Sequence, residues 1–212
     1  VTQNAFLYGN AEKDTFNIIN GGISADLSGG IGSDHVIGAD ESNQWDLTGS
    51  GSGSLYQTET SNSKVNFSAI ETLRGGSGSD KFKLAASAAI ENIMGGAGDN
   101  SLQGADINNT WDIASGNEGT IKNVSDFSEI QSLIGGSLAD TFNLNRDFVG
   151  TVSGNDGEDV FNLNADQTGT LHGNAGDDTF KILAVDLEAN INGGADKDLL
   201  VARSVNNQWD IL

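Results

Sequence analysis

Val160-Phe161-Asn162-Leu163-Asn164, then Gly169-Thr170-Leu171-His172, then Gly173-Asn174-Ala175-Gly176-Asp177-Asp178: these three consecutive stretches decide the fold. In the first, apolar and polar residues alternate, which is the period of a half-buried strand. The second is compatible with the same period. The third is a turn, rich in the residues that accept positive φ or bond back to their own backbone. Phe180 then takes the place that Phe161 held one unit earlier.

The unit recurs along the chain. Turn glycines stand at Gly9, Gly29, Gly75, Gly95, Gly135, Gly154, Gly173 and Gly193, at intervals of 20, 46, 20, 40, 19, 19 and 20 residues. Reading each long interval as two coils keeps the period near 20 throughout. With each of these glycines called place one, place six is Asp14, Asp34, Asp80, Asn100, Asp140, Asp159, Asp178 and Asp198. Place eight is apolar in every copy: Phe16, Val36, Phe82, Leu102, Phe142, Phe161, Phe180 and Leu200. Two residues before place one stands a second apolar series: Leu7, Leu27, Leu73, Ile93, Leu133, Val152, Leu171 and Ile191.

Two short strands and two turns cannot close a core alone, but stacked coils can, each strand bonding to its equivalents above and below. The expectation is an all-β, right-handed parallel β-helix or β-roll solenoid of about ten coils of ~20 residues. Residues 1–212 read as a single solenoid domain, and both ends cut through the array, as expected for a fragment of a longer repeat protein. Gly, Asn and β-branched residues interrupt helical windows. Ala85 to Ile93 is the best candidate for a helical turn, although Ile93 keeps its apolar place in the repeat.

Composition narrows function. Thirty Asp and Glu against ten Lys and Arg give a formal charge of −20. That balance argues against nucleic acid, whose phosphates need cationic partners, and against anionic membrane surfaces. No apolar run approaches the ~20 residues of a membrane span. With no Cys in the chain, disulfides and thiol chemistry are excluded.

The fullest turns are Gly29-Gly30-Ile31-Gly32-Ser33-Asp34, Gly75-Gly76-Ser77-Gly78-Ser79-Asp80 and Gly173-Asn174-Ala175-Gly176-Asp177-Asp178. They resemble the GGxGxD repeats of the RTX (haemolysin-type) calcium-binding family, found in large secreted bacterial adhesins and exoproteins. The resemblance implies Ca2+ held between the turns of adjacent coils by Asp carboxylates and backbone carbonyls. Such an ion takes six to eight hard oxygens in flexible geometry. The implied metal residues are Asp159, Asp178, Asp140, Asp198, Asp14, Asp34, Asp80 and Asn100. Adjacent coils would pair Asp14 with Asp34, Asp80 with Asn100, Asp140 with Asp159, Asp159 with Asp178, and Asp178 with Asp198. The chain departs from the family in carrying one motif per coil, so the ladder is expected along one edge only. Place four is Glu12, Leu138 and Asp196 where the family has Gly. The alternative for these Asp and Asn residues is turn capping by bonds to backbone.

A second motif recurs as Asn43-Gln44-Trp45-Asp46-Leu47, Asn109-Thr110-Trp111-Asp112-Ile113 and Asn207-Gln208-Trp209-Asp210-Ile211. The first two copies precede related segments, Val65 to Leu73 and Ser125 to Leu133. Each Trp shares strand parity with the following Leu or Ile and is expected in the core; exposed, it would stack on sugar rings. His35 and His172 lack the neighbourhood of a nucleophile or zinc site, and no catalytic residue is expected. The reading is a calcium-binding structural or adhesive segment of a large exported bacterial protein, extracellular or at the cell surface. Its partners would be Ca2+ and, for adhesion, glycans or a surface receptor. A carbohydrate-binding solenoid and a polysaccharide-acting enzyme are the alternatives.

Overall fold

The computed structural model describes residues 5–19, 23–57, 64–184 and 187–203. Among them are 22 strands and no helix, arranged as two eleven-stranded, mostly parallel sheets. The chain winds between the sheets. Ala5–Ala11 lies in the first, Thr15–Asn17 in the second, Ala25–Ile31 in the first and His35–Ile37 in the second. In the ordinary coils each strand pairs in parallel with its equivalent one coil away, so Leu7 lies on Leu27 and Phe16 on Val36. The alternating burial of Val160–Leu163 follows its sequence, with Phe161 and Leu163 facing the core. Phe142, Phe161 and Phe180 form one column, their stacked rings 5.0 and 4.6 Å apart between centroids.

The two long intervals are not pairs of ordinary coils. Asn43–Gly49 enters the first sheet at a distance from Ala25–Ile31, leaving room for two strands. Ser52–Gln57 returns antiparallel to it, and Lys64–Ser68 runs back beside Ala25–Ile31. Thr110–Ser115, Glu118–Ile121 and Val124–Ser128 build the same three-stranded meander in the second sheet. Alternation of apolar and polar residues is identical in parallel and antiparallel strands, so periodicity alone could not separate the two.

Each meander contains one Trp. Trp45 and Trp111 are fully buried. Trp45 stacks on Phe82 at 5.5 Å and meets Phe67 edge-on at 6.1 Å. Trp111 repeats this with Phe142 and Phe127 at the same two distances. The middle strand carries a glycine beneath the edge-on ring: a Cβ on Gly53 would stand 2.7 Å from Phe67, and one on Gly119 2.9 Å from Phe127. Trp209 lies outside the described residues.

The meanders change which edge carries the turns. From Gly29 to Gly75 the chain crosses between sheets three times, where an ordinary coil crosses twice. The turns at Gly9 and Gly29 therefore lead from the first sheet to the second, and those at Gly75 and Gly95 from the second to the first. After the second meander, the turns at Gly135, Gly154, Gly173 and Gly193 return to the original edge. The expected single-edge ladder is thus replaced by turn columns on two opposite edges. The segment Ala85–Ala89 is a turn, not helical, and Ile90–Met94 is a strand that buries Ile93.

Candidate functional site

The place-six residues are drawn into ladders by their own backbone. Asp14 N–H donates to Asp34 Oδ1 at 2.8 Å, and Asp80 N–H to Asn100 Oδ1 at 2.9 Å. Asp140 N–H reaches Asp159 Oδ1 at 2.7 Å, Asp159 N–H reaches Asp178 Oδ1 at 2.8 Å, and Asp178 N–H reaches Asp198 Oδ1 at 3.2 Å. All five pairs expected from the repeat are therefore neighbours. Asp34, Asp80, Asn100, Asp140, Asp159 and Asp178 are buried, Asp14 is partly buried and Asp198 exposed.

Four further residues end these ladders, and none of them was expected from sequence to belong to a turn. Asn43 and Asn109 begin two of them. Each gives both its N–H and its Nδ2 to one carboxylate oxygen, Asp80 Oδ1 and Asp140 Oδ1 respectively. Glu71 and Gln131 close two, accepting from Asp34 N–H at 2.7 Å and from Asn100 N–H at 2.8 Å. The signal was present in sequence: Gly38-Ala39-Asp40-Glu41-Ser42-Asn43 and Gly104-Ala105-Asp106-Ile107-Asn108-Asn109 carry glycine at place one, Asn at place six and Trp at place eight.

The second oxygen of each carboxylate separates two kinds of turn. At Asp80 and Asp140 it accepts from the place-two glycine, Gly76 N–H at 3.0 Å and Gly136 N–H at 2.6 Å. Neither glycine has a positive φ. In the other turns the place-two residue is left-handed: Asn10 at 76°, Gly30 at 104°, Asn155 at 80° and Asn174 at 82°. There Oδ2 of Asp14, Asp34, Asp159 and Asp178 is buried with no donor. A carbonyl of the neighbouring coil stands near Oδ2 in both kinds of turn, Asp80 and Asp140 included, but at these four no donor offsets it. A Cβ on Gly173 would fall on both Asp178 Oδ2 and Gly193 O, and one on Gly9 on both Asp14 Oδ2 and Gly29 O. Place one is glycine because these oxygens occupy that space.

Asn100 shows what this position requires. Its turn is also left-handed, with Gly96 at φ 85°. Its Nδ2 donates to Gly96 O at 3.2 Å, Ala97 O at 3.3 Å and Glu129 O at 3.1 Å. An amide thus satisfies a nest of carbonyls that the carboxylates of the other left-handed turns meet with a lone pair.

The electrostatics follow. Burial pushes the Asp159 carboxyl up to about 7, against the opposing bond from Asp140 N–H and reinforced by repulsion from Asp178, Asp140 and Asp156. Burial also raises Asp178, with repulsion from Asp198 and Asp177 adding to it. Asp80 and Asp140 are raised by burial as well, though the donors at Asn43 and Gly76, and at Gly136 and Asn109, hold them back.

These turns fit a cation in one respect: anionic and carbonyl oxygens converge on positions without a donor. Among the described residues, however, no three His, Cys, Asp or Glu side chains gather as a metal cluster. Any ion would have to be completed by carbonyls and water. No protein-family model and no curated protein matches the chain.

Proposed function

We propose that the chain is a structural and adhesive segment of a large exported bacterial protein, built as a right-handed parallel β-helix of about ten coils and rigidified by Ca2+. Parallel crossover connections are overwhelmingly right-handed, which supports the handedness. The site of action is extracellular or at the bacterial cell surface, and the segment has no catalytic role of its own.

The comparison of Asn100 with its aspartate equivalents carries this reading. Where Asn100 donates to carbonyls, Asp14, Asp34, Asp159 and Asp178 leave an unsatisfied buried oxygen facing one. An unpaired buried acceptor is costly, and a hard divalent cation between carboxylate and carbonyl removes that cost. Calcium is therefore proposed at these four turns. Asp80 and Asp140, whose two oxygens already accept N–H groups, stand outside the set, as do Asn100 and the exposed Asp198. When bound, Ca2+ would supply positive charge to a chain of net charge −20. It would bind the folded state alone, and so stabilise it by linkage. Extracellular modules hold Ca2+ at roughly 10⁻⁴ to 10⁻³ M, a range that leaves the segment metal-poor in the cytosol and loaded outside.

The adhesive partner, a glycan or surface receptor, would meet the polar outer faces, since Trp45 and Trp111 are buried and cannot stack on a sugar. Thermal melting in EDTA and in Ca2+ tests the proposal. A higher melting temperature in Ca2+, absent with Mg2+, is expected; coincident curves would remove calcium from the account.

A further inference from the structure

The two tryptophan motifs share a second residue that takes no part in the turns. Each buried Trp is followed by an Asp, Asp46 in the first copy and Asp112 in the second; Asp210 repeats it outside the described residues. Successive residues of a strand face opposite ways. Trp45 and Trp111 point into the core, so Asp46 and Asp112 point away from it, one from each sheet. Their strand neighbours differ: Asp46 stands in register with Lys83, Asp112 with Asn143. No pairing common to the two sheets therefore explains why the same acid recurs.

Both carboxylates sit in hollows of matching chemistry. Asp46 lines one of about 470 Å³ with Gln44, Thr48 and Lys83. Asp112 lines one of about 480 Å³ with Thr110, Thr120 and Lys122. Each hollow thus offers a carboxylate, an ammonium group and neutral side chains that both donate and accept. In each, one carboxylate oxygen is already held by an amide: Gln44 Nε2 donates to Asp46 Oδ1 at 3.0 Å, and Asn143 Nδ2 to Asp112 Oδ1 at 2.7 Å. That bond orients the carboxylate, while Oδ2 has no protein donor among the described residues. Both hollows lie well inside the stack. Asn43–Gly49 is the fifth of the eleven strands of its sheet, and Thr110–Ser115 the seventh of the other.

We propose that the two hollows are a pair of binding sites for a neutral oligosaccharide, with Asp46 and Asp112 accepting sugar hydroxyls. The inference rests on the adhesive half of the proposed function and not on calcium. A carboxylate is the acceptor that adjacent hydroxyls of a pyranose need, and bonds to an ionised acceptor are the stronger kind. Lys83 and Lys122 donate to sugar oxygens, and the Gln and Thr side chains serve the remaining hydroxyls. Exposed Ala85 and Ala86, which also line the first hollow, give the C–H face of a sugar ring an apolar wall. Each hollow balances its Asp with a Lys, and Asp106 adds a negative charge at the first. With a chain charge of −20 around them, the sites favour a neutral saccharide over an anionic one. The hollows open on opposite faces of the stack, so one short saccharide cannot engage both. The segment would link two glycan chains, not grip one chain twice.

Calorimetric titration of the intact chain with cellohexaose, maltohexaose, mannohexaose and chitohexaose, in Ca2+ and in EDTA, tests it. The wild type is expected to take two equivalents of at least one of these sugars in both buffers. Asp46→Ala and Asp112→Ala should each leave one equivalent, the altered site losing at least about tenfold in affinity, with the far-UV spectrum unchanged. The wild type should cross-link a long polymer of the same sugar, and neither single variant should. Binding that survives in the double variant strikes the two hollows and leaves glycan adhesion elsewhere on the surface standing. A wild type that binds none of the four sugars overturns the inference together with a glycan as the adhesive partner. Tighter binding of a galacturonate hexamer, an anion, than of any neutral sugar overturns the choice of ligand.

Discussion

Asn109 donates twice to one oxygen of Asp140, from its backbone N–H at 2.6 Å and from Nδ2 at 2.8 Å, while the same Nδ2 also reaches Ala105 O and Ile107 O. The ladder on this edge thus starts from a single buried amide in the second meander, separate from the ladder that Gln131 closes on the other edge. Asn109→Ala should destabilise the protein by about 1–3 kcal/mol, the usual cost of leaving buried polar groups unpaired. Asn109→Asp should be worse, because it sets a second carboxylate against Asp140 and an acceptor against two carbonyls. Urea denaturation of both variants checks the order.

Asp159→Asn should have the opposite sign. Asn100 already uses an amide in a left-handed turn, and the substitution keeps an oxygen for Asp140 N–H while turning a buried lone pair into a donor. In EDTA near neutral pH the variant should melt above the wild type, and the advantage should shrink in Ca2+. A variant that melts below the wild type in EDTA would mean that the carbonyl nest does not accept an amide there.

The raised carboxyl of Asp159 sets a pH dependence. Its folded value of about 7 lies above the ordinary carboxylate value of 3.8, so the folded state holds a proton that the unfolded chain releases. This group's stabilisation is complete below about pH 4 and is lost as pH rises through about 7. Asp178, raised in the same direction, adds to the trend. Metal-free protein should therefore melt at a lower temperature at pH 8 than at pH 5, and Asp159→Asn should flatten the profile. A metal-free melting temperature that rises over this interval contradicts the assignment.

Gly119 lies under the Phe127 ring and against the Asp112 carbonyl: a Cβ there would fall on Asp112 O and stand 2.9 Å from the ring. Gly119→Ala should cost about 1–3 kcal/mol by overpacking, and Phe127→Leu in the same chain should recover part of that loss. The remaining loss is set by the Asp112 carbonyl, which Phe127→Leu leaves in place; equal denaturation midpoints for Gly119→Ala and the wild type would mean that both ring and backbone can yield.

Much of this was legible in the residues. The apolar series at place eight fixed the Phe142–Phe161–Phe180 column, and the spacing of the place-six residues fixed which of them are neighbours. The tryptophan motifs announced the buried Trp45 and Trp111 through strand parity. What escaped was the meander, since strand direction leaves no mark on alternation, and with it the switch of edge. The two Asn-ended turns were passed over because they stand nine residues beyond Gly29 and Gly95, half a coil out of phase with the series. The division among the carboxylates was not readable at all. Gly29-Gly30 and Gly75-Gly76 are the same dipeptide, yet Gly30 rests on the Asn10 carbonyl with φ 104° while Gly76 rests on that of Ala39 without a positive φ. The coil beneath decides, and that is a tertiary fact.

Calcium at the left-handed turns is the claim on which the functional account rests, and a crystal structure grown in Ca2+ tests it most directly. The account predicts an ion between Asp178 Oδ2 and Gly193 O, about 2.3–2.6 Å from its oxygens, and its counterpart at Asp159. No ion there, with Oδ2 and the carbonyl drawn to about 2.5–2.7 Å by a shared proton, would contradict it.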